Sequence, residues 1–247
     1  MISTYHRPKT LDEALALLKQ PNTAPLGGGT LLTRATADSV AAVDLQSLGL
    51  DSIKASGNDL VIGATSTLQA LLEFKAIPNA LKTAIKLEAP LNIRNAATVA
   101  GSIVASDGRS SFTAMLLAMD AKVSITASKE ETSTIGLSDY LLTRPSGLIT
   151  SIITPLNIKT AFEFVSKTPA DKPMVGVALA QWNSGRTRLA LCGYGKTPFL
   201  AMDGTESDGL DTAAKNAYHE ANDEWASADY RMDVAATLAR RALSNLQ

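Results

Sequence analysis

The sequence predicts an α+β fold, and three observations carry that expectation. Helical periodicity frames the chain at both ends, with Ala14, Leu15 and Leu18 along one face and Tyr230, Val234, Leu238 and Ala242 along another. Between them, KVSITA alternates like a strand, and GLITSIITPLN is a second β-rich run stopped by Pro155. Further on, MVGVALAQWNSGRTRLALCGYG reads as two β runs about a turn at Asn183-Ser184-Gly185, a hairpin signal.

The remaining elements follow in order. Thr10 stands three residues before Glu13, the spacing of a capping box, and Pro21 closes the helix it opens. AAVDL gives a short strand, Ser56-Gly57-Asn58 a turn, and Leu60–Gly63 a further strand. A helix capped near Ser66 or Thr67 comes next, then a second helix bounded by Pro78 and Pro90. LNIRNAATVAGSIVASDGRSS, rich in small and polar residues, reads as a loop before the apolar helix FTAMLLAMDA. The character changes after Pro155, which places a boundary between a first domain, residues 1–157, and a second, residues 158–247.

Bulk composition narrows the function. The 247 residues are 45% hydrophobic and 19% charged, enough for a sizeable core and without a disorder signature. A net charge of −1 argues against nucleic acid or an anionic membrane as the main partner. No run approaches the roughly 18–20 apolar residues of a bilayer span, and MISTYHRPKT shows no basic-then-apolar leader, so the protein is expected to be cytoplasmic. Cys192 is the one cysteine, too few for a disulfide, a CxxC pair or a cysteine-ligated iron–sulfur cluster within the chain. With His6 and His219 as the two histidines, metal sites and Ser–His–Asp triads are poorly supplied, and no metal site or catalytic side chain is expected.

Two glycine-bearing stretches stand out. APLGGGTLLT carries Gly27, Gly28 and Gly29, followed by Thr30 and Leu31. Consecutive backbone N–H groups without side chains can form an anion-binding nest, to which Thr30 would add a hydroxyl; a tight structural turn is the plainer alternative. The stretch is neither a Walker loop nor GxGxxG at a helix start. ATVAGSIVASDG brings Thr98, Gly101, Ser102 and Ser106 close together, as donors to a polar ligand or as a small-residue turn. Two such loops fit a large ligand with a polar middle, such as a dinucleotide. Asp107 and Arg109 could orient such a ligand or form a solvated turn, whereas Trp182 and Trp225 are expected to pack between hairpin and helix.

At this point the chain resembles the FAD-binding subunits of the molybdenum hydroxylases, the carbon monoxide dehydrogenase and xanthine dehydrogenase type. The likeness runs almost end to end: YHRPKTLDEALALL, GGGTLL, LVIGATSTLQAL, IRNAATVAGSIV, LALCGYGKTPFLA and SADYRMDVAATLARRAL stand in the family's order. It implies a two-subdomain FAD-binding fold of the vanillyl-alcohol-oxidase type followed by a smaller α+β domain. It implies that Gly27, Gly28, Gly29 and Thr30, with Leu31 at the loop's exit, wrap the FAD pyrophosphate, and that Thr98, Gly101, Ser102, Ser106 and Asp107 line the cofactor. Arg94 and Asn95 would hold the approach to the second loop, and Ile62, Gly63 and Ala64 would support the site from the adjoining strand. The implied partners are a [2Fe–2S] subunit that delivers electrons, a molybdopterin subunit that supplies them, and an acceptor such as NAD or oxygen.

The chain departs from the pattern at Ala100-Gly101-Ser102, where the family has Gly-Gly-Asn, and at Ser111, where an acidic residue is expected. The stretch TLLTRATADSVAAVDL is several residues shorter than the resemblance implies and lacks a family Lys. Two other functions therefore stand beside the first: a flavin-free assembly subunit of the same fold, and a stand-alone flavin oxidoreductase.

Overall fold

After β1 (Ile2–His6), Thr10 Oγ1 accepts from Glu13 N at 3.2 Å and starts α1 (Leu11–Leu18), which buries Ala14 and Leu15. β2 (Thr23–Leu26) and β3 (Val40–Asp44) follow, and β1 and β2 each pair in parallel with β3. This computed structural model describes residues 2–33, 39–169 and 171–246. Part of the shortened stretch after the first glycine loop, residues 34–38, lies outside the described residues.

β4 (Ile53–Ser56) and β5 (Asp59–Gly63) form an antiparallel pair about the expected turn, and Thr67 caps α2 (Leu68–Glu73). α3 (Asn79–Glu88) fills the interval between Pro78 and Pro90. The next stretch corrects the sequence reading. Much of LNIRNAATVAGSIVASDGRSS is helical, as α4 (Leu91–Arg94) and α5 (Val99–Val104), because Thr98 Oγ1 accepts from Gly101 N and caps the second of these.

Ser110 caps α6 (Ser111–Ala118), which is buried along its whole length and leads into β6 (Lys122–Ser128). Two elements go unread in the sequence: β7 (Glu131–Gly136) and α7 (Leu137–Thr143), although Leu137, Tyr140 and Leu141 of the latter stand at helical spacing. β7 has no apolar alternation; it pairs with β6 partly through hydroxyls, Ser124 with Thr134 at 3.0 Å and Thr126 with Thr132 at 3.1 Å. β8 (Leu148–Pro155) ends at the expected proline. β9 (Lys159–Val165), β10 (Val175–Gln181), β11 (Thr187–Cys192) and β12 (Phe199–Gly204) complete the strands, with α8 (Leu210–Asn216) and α9 (Ala228–Ser244) after them.

The chain folds as two units. The first comprises Met1–Phe74, Leu91–Ala105 and Lys122–Ile153, and holds the sheets β1-β3-β2 and β4-β5-β8-β6-β7. The second comprises Lys75–Pro90, Ser106–Ala121 and Thr154–Gln247, built on the antiparallel sheet β12-β11-β10-β9. Two segments that precede residue 157, those carrying α3 and α6, thus belong with the later strands. The physical reason is α6, an apolar helix that packs on β10, β11 and α3 within that unit. Its other core joins Val175, Val177, Leu189 and Leu191 to Tyr218, Leu238 and Ala242. On α9, Leu238 and Ala242 are buried and Val234 packs against the core, as read in sequence; Tyr230 departs from that reading and is exposed, while Arg231, Ala235 and Ala239 complete the inward face. Among the described residues no helix is long and apolar enough to cross a membrane.

Arg231 is fully buried, and every polar edge is used. Its guanidinium donates to Met174 O at 3.2 Å, Ala226 O at 2.8 Å, Gly193 O at 3.3 Å, Ala221 O and Asp223 Oδ1 at 2.7 Å. A second network joins Arg186 and Arg188 to Asp120 and Asp203. Hydrogen bonding from Arg186 holds the Asp203 carboxyl below its ordinary value. Arg231→Ala should cost about 3–5 kcal/mol in urea unfolding, since it strands a carboxylate and several carbonyls. Because the folded-state value of Asp203 is depressed, its contribution is full above about pH 4 and fades as pH falls through the folded value. Thermal melts at descending pH should therefore drop less steeply in Arg186→Gln than in the parent chain.

Candidate functional site

The first glycine loop leaves the end of β2, where Leu26 O accepts from Leu45 N at 3.0 Å. Beyond that bond the ladder stops. Among the described residues, the backbone N–H groups of Gly27, Gly28, Gly29, Thr30 and Leu31 have no protein acceptor, and all five residues are partly or fully exposed. Gly29 takes a φ of +71°, and its carbonyl accepts from Thr33 N at 3.3 Å, which curls the chain.

The glycines are also required from behind. A Cβ on Gly28 would stand 1.6 Å from Ala96 O, inside the carbonyl itself. Cβ atoms on Gly27 and on Gly101 would each stand 2.7 Å from Thr98 Oγ1. Thr98 is therefore held between the loop and the first turn of α5, and the two glycine-bearing stretches read in sequence do meet.

They do not, however, offer the same chemistry. In the second stretch each early amide is already used: Val99 N donates to Ser66 O at 2.8 Å and Ala100 N to Ala64 O at 3.1 Å. Gly101 N donates to Thr98 Oγ1 at 3.2 Å, and Ser102 N to Thr98 O at 2.9 Å. The Ser102 hydroxyl also turns back onto Thr98 O. Ala64 thus holds this stretch through its carbonyl, and its neighbours carry no reading as site residues in the sequence. Thr65 Oγ1 and Ser66 Oγ are buried beside this stretch without a hydrogen-bond partner among the described residues. Arg94 donates to Gln69 Oε1 at 3.0 Å, tying α4 to α2 as an approach-holding residue would.

Ser106 and Asp107 belong to the second unit. Ser106 Oγ is buried without a partner among the described residues. Asp107 Oδ1 accepts from Arg109 N at 2.9 Å, and its carboxylate meets Lys172 Nζ at 3.2 Å. Lys172 also lies 3.5 Å from Glu88. Burial pulls the Lys172 ammonium down, yet these two carboxylates outweigh it and hold it above its ordinary value. Trp225, expected between hairpin and helix, is instead 38% exposed, with the Arg109 guanidinium 4.3 Å and the Lys167 ammonium 4.7 Å from its ring centre. Trp182 likewise lies under Arg186, at 4.8 Å.

A half-open loop with consecutive unsatisfied amides and no acidic residue between Ala24 and Thr33 is suited to a phosphate or pyrophosphate. Residues 1–176 match the family described as the FAD binding domain in molybdopterin dehydrogenase, and the chain belongs to that family. FAD is accordingly its cofactor, and the first loop fits that cofactor's pyrophosphate. The YgfM protein of Escherichia coli (strain K12) is 29% identical over 256 residues, spanning 100% of this chain and 97% of that one. The carbon monoxide dehydrogenase medium chain of Afipia carboxidovorans is 28% identical over 274 residues, spanning 97% and 94%. A chain of reconstituted CO dehydrogenase from Oligotropha carboxidovorans superposes with a TM-score of 0.82 at 27% identity, covering 98% of this chain and 96% of that one.

Gly28→Ala should destabilise the fold by about 1–3 kcal/mol, because the backbone must move to admit the methyl group, and should release bound flavin. Thr98→Val, which keeps the shape but loses the cap, should cost about 1 kcal/mol. Denaturant unfolding and flavin retention on gel filtration check both.

Proposed function

We propose that this chain is the FAD-binding electron-transfer subunit of a molybdopterin-dependent oxidoreductase. It takes electrons from a [2Fe–2S] subunit, which draws them from a molybdopterin subunit, and passes them to an acceptor such as NAD or oxygen. The observation that carries the reading is the run of unsatisfied amides from Gly27 to Leu31, on a chain of this family. In this reading those amides and the Thr30 hydroxyl hold the pyrophosphate, while Thr98 fixes the loop from behind. Gly101 and Ser102, on the stretch that Thr98 ties to the loop, line the cofactor beside it. FAD supplies the redox chemistry that these side chains lack, accepting electrons singly and releasing them singly or as a hydride. A lone cysteine leaves iron–sulfur clusters to another chain, and the likeness to a protein named as a medium chain supports the same division of labour.

A flavin-free assembly subunit is the second reading, favoured by the fully used amides of Val99–Ser102. The absorption spectrum of the purified chain separates the two, with any released cofactor identified by chromatography. Flavin bands corresponding to one FAD per chain are expected. A colourless chain that takes up no FAD on reconstitution would establish the second reading instead.

A further inference from the structure

A groove of about 520 Å³ runs along β9, the edge strand of the second unit's sheet, within that unit alone. α3 begins in its wall. Pro78 occupies the N-cap position with no side-chain cap, and the first turn of α3 holds no acidic residue. The partial positive charge of that helix end is therefore not neutralised by the helix's own residues. Lys75 and Lys82 line the same groove, and among the described residues neither forms an ion pair.

Thr160 is the independent sign of a ligand. It is only 4% exposed and lines the groove, yet among the described residues its hydroxyl has no hydrogen-bond partner. That hydroxyl is left for water or a ligand in the groove to satisfy. Phe162, 9% exposed, supplies an apolar wall on the same strand. Glu163 brings a carboxylate, its Oε1 accepting from Asn245 Nδ2 at 2.9 Å, and disfavours a ligand charged negatively at both ends. The volume falls in the range of about 300–1,000 Å³ usual for small-molecule sites.

We propose that this groove binds a small organic anion with its charge at one end. Lys75, Lys82, the first turn of α3 and the Thr160 hydroxyl take the carboxylate or phosphoryl oxygens, and Phe162 takes the apolar remainder. The residues involved are separate from those of the glycine loop, so the site stands or falls independently of the flavin.

Calorimetric titration of the full chain with phenyl phosphate, phenylacetate and benzylamine tests it. One or both anions should bind saturably at one site per chain, and benzylamine should not. Binding of phenyl phosphate alone would mark a phosphoryl ligand, and of phenylacetate alone a carboxylate. Lys82→Gln and Thr160→Val should each weaken the bound anion at least fivefold with the circular dichroism spectrum unchanged. Lys82→Gln, on a half-exposed helix position, keeps the test readable should Thr160→Val fail to fold. The proposal is overturned if neither anion binds, if benzylamine binds as well as they do, or if affinity is unchanged in a folded variant.

Discussion

The backbone of Gly28 passes so close to the Ala96 carbonyl that no side chain can stand between them, and the candidate site depends on that approach. With the back of the loop closed, its amides have nowhere to turn within the chain and stay available on the other side. Thr98 makes the arrangement rigid. Its hydroxyl caps α5 and fills the space left by the missing side chains of Gly27 and Gly101, so one residue fixes loop and helix together. An anion site built this way needs no cationic side chain, because preorganised N–H dipoles supply the field.

Much of this was legible in the sequence where the cause is local. Thr10 announces its helix through the capping-box spacing, Thr67 is one of the two caps read for the helix after β5, and the turn at Asn183-Ser184-Gly185 joins β10 to β11 as read. The triple glycine was legible as a demand for bare backbone, but the reason for Gly28 is a carbonyl far along the chain. α5 was hidden because Gly101 and Ser102 suit a loop as well as a helix; Thr98, read as a ligand donor, is first of all the cap that decides between them. β7 was hidden because hydroxyl pairs replace apolar alternation in its contact with β6. The grouping of α3 and α6 with the later strands is a long-range packing outcome that no local pattern encodes.

The second unit shows the same economy with polar groups. Arg231 gathers carbonyls from Met174, Gly193, Ala221 and Ala226, so a single side chain fixes the ends of several loops around α9. Against that background, the Thr160 hydroxyl, without a protein partner among the described residues, and the start of α3, without a side-chain cap, stand out along β9. Polar groups without a protein partner among the described residues lie beside both candidate sites, and in the proposed reading they suit pyrophosphate at the first loop and a single anionic group along β9.

Amide hydrogen exchange of the chain with and without added FAD tests the central claim most directly. If the open amides of the glycine loop hold the pyrophosphate, protection should rise at Gly27–Leu31 and change little at Val99–Ser102, whose amides are already bonded within the fold. Strong new protection at Val99–Ser102 with none at Gly27–Leu31 would contradict the account.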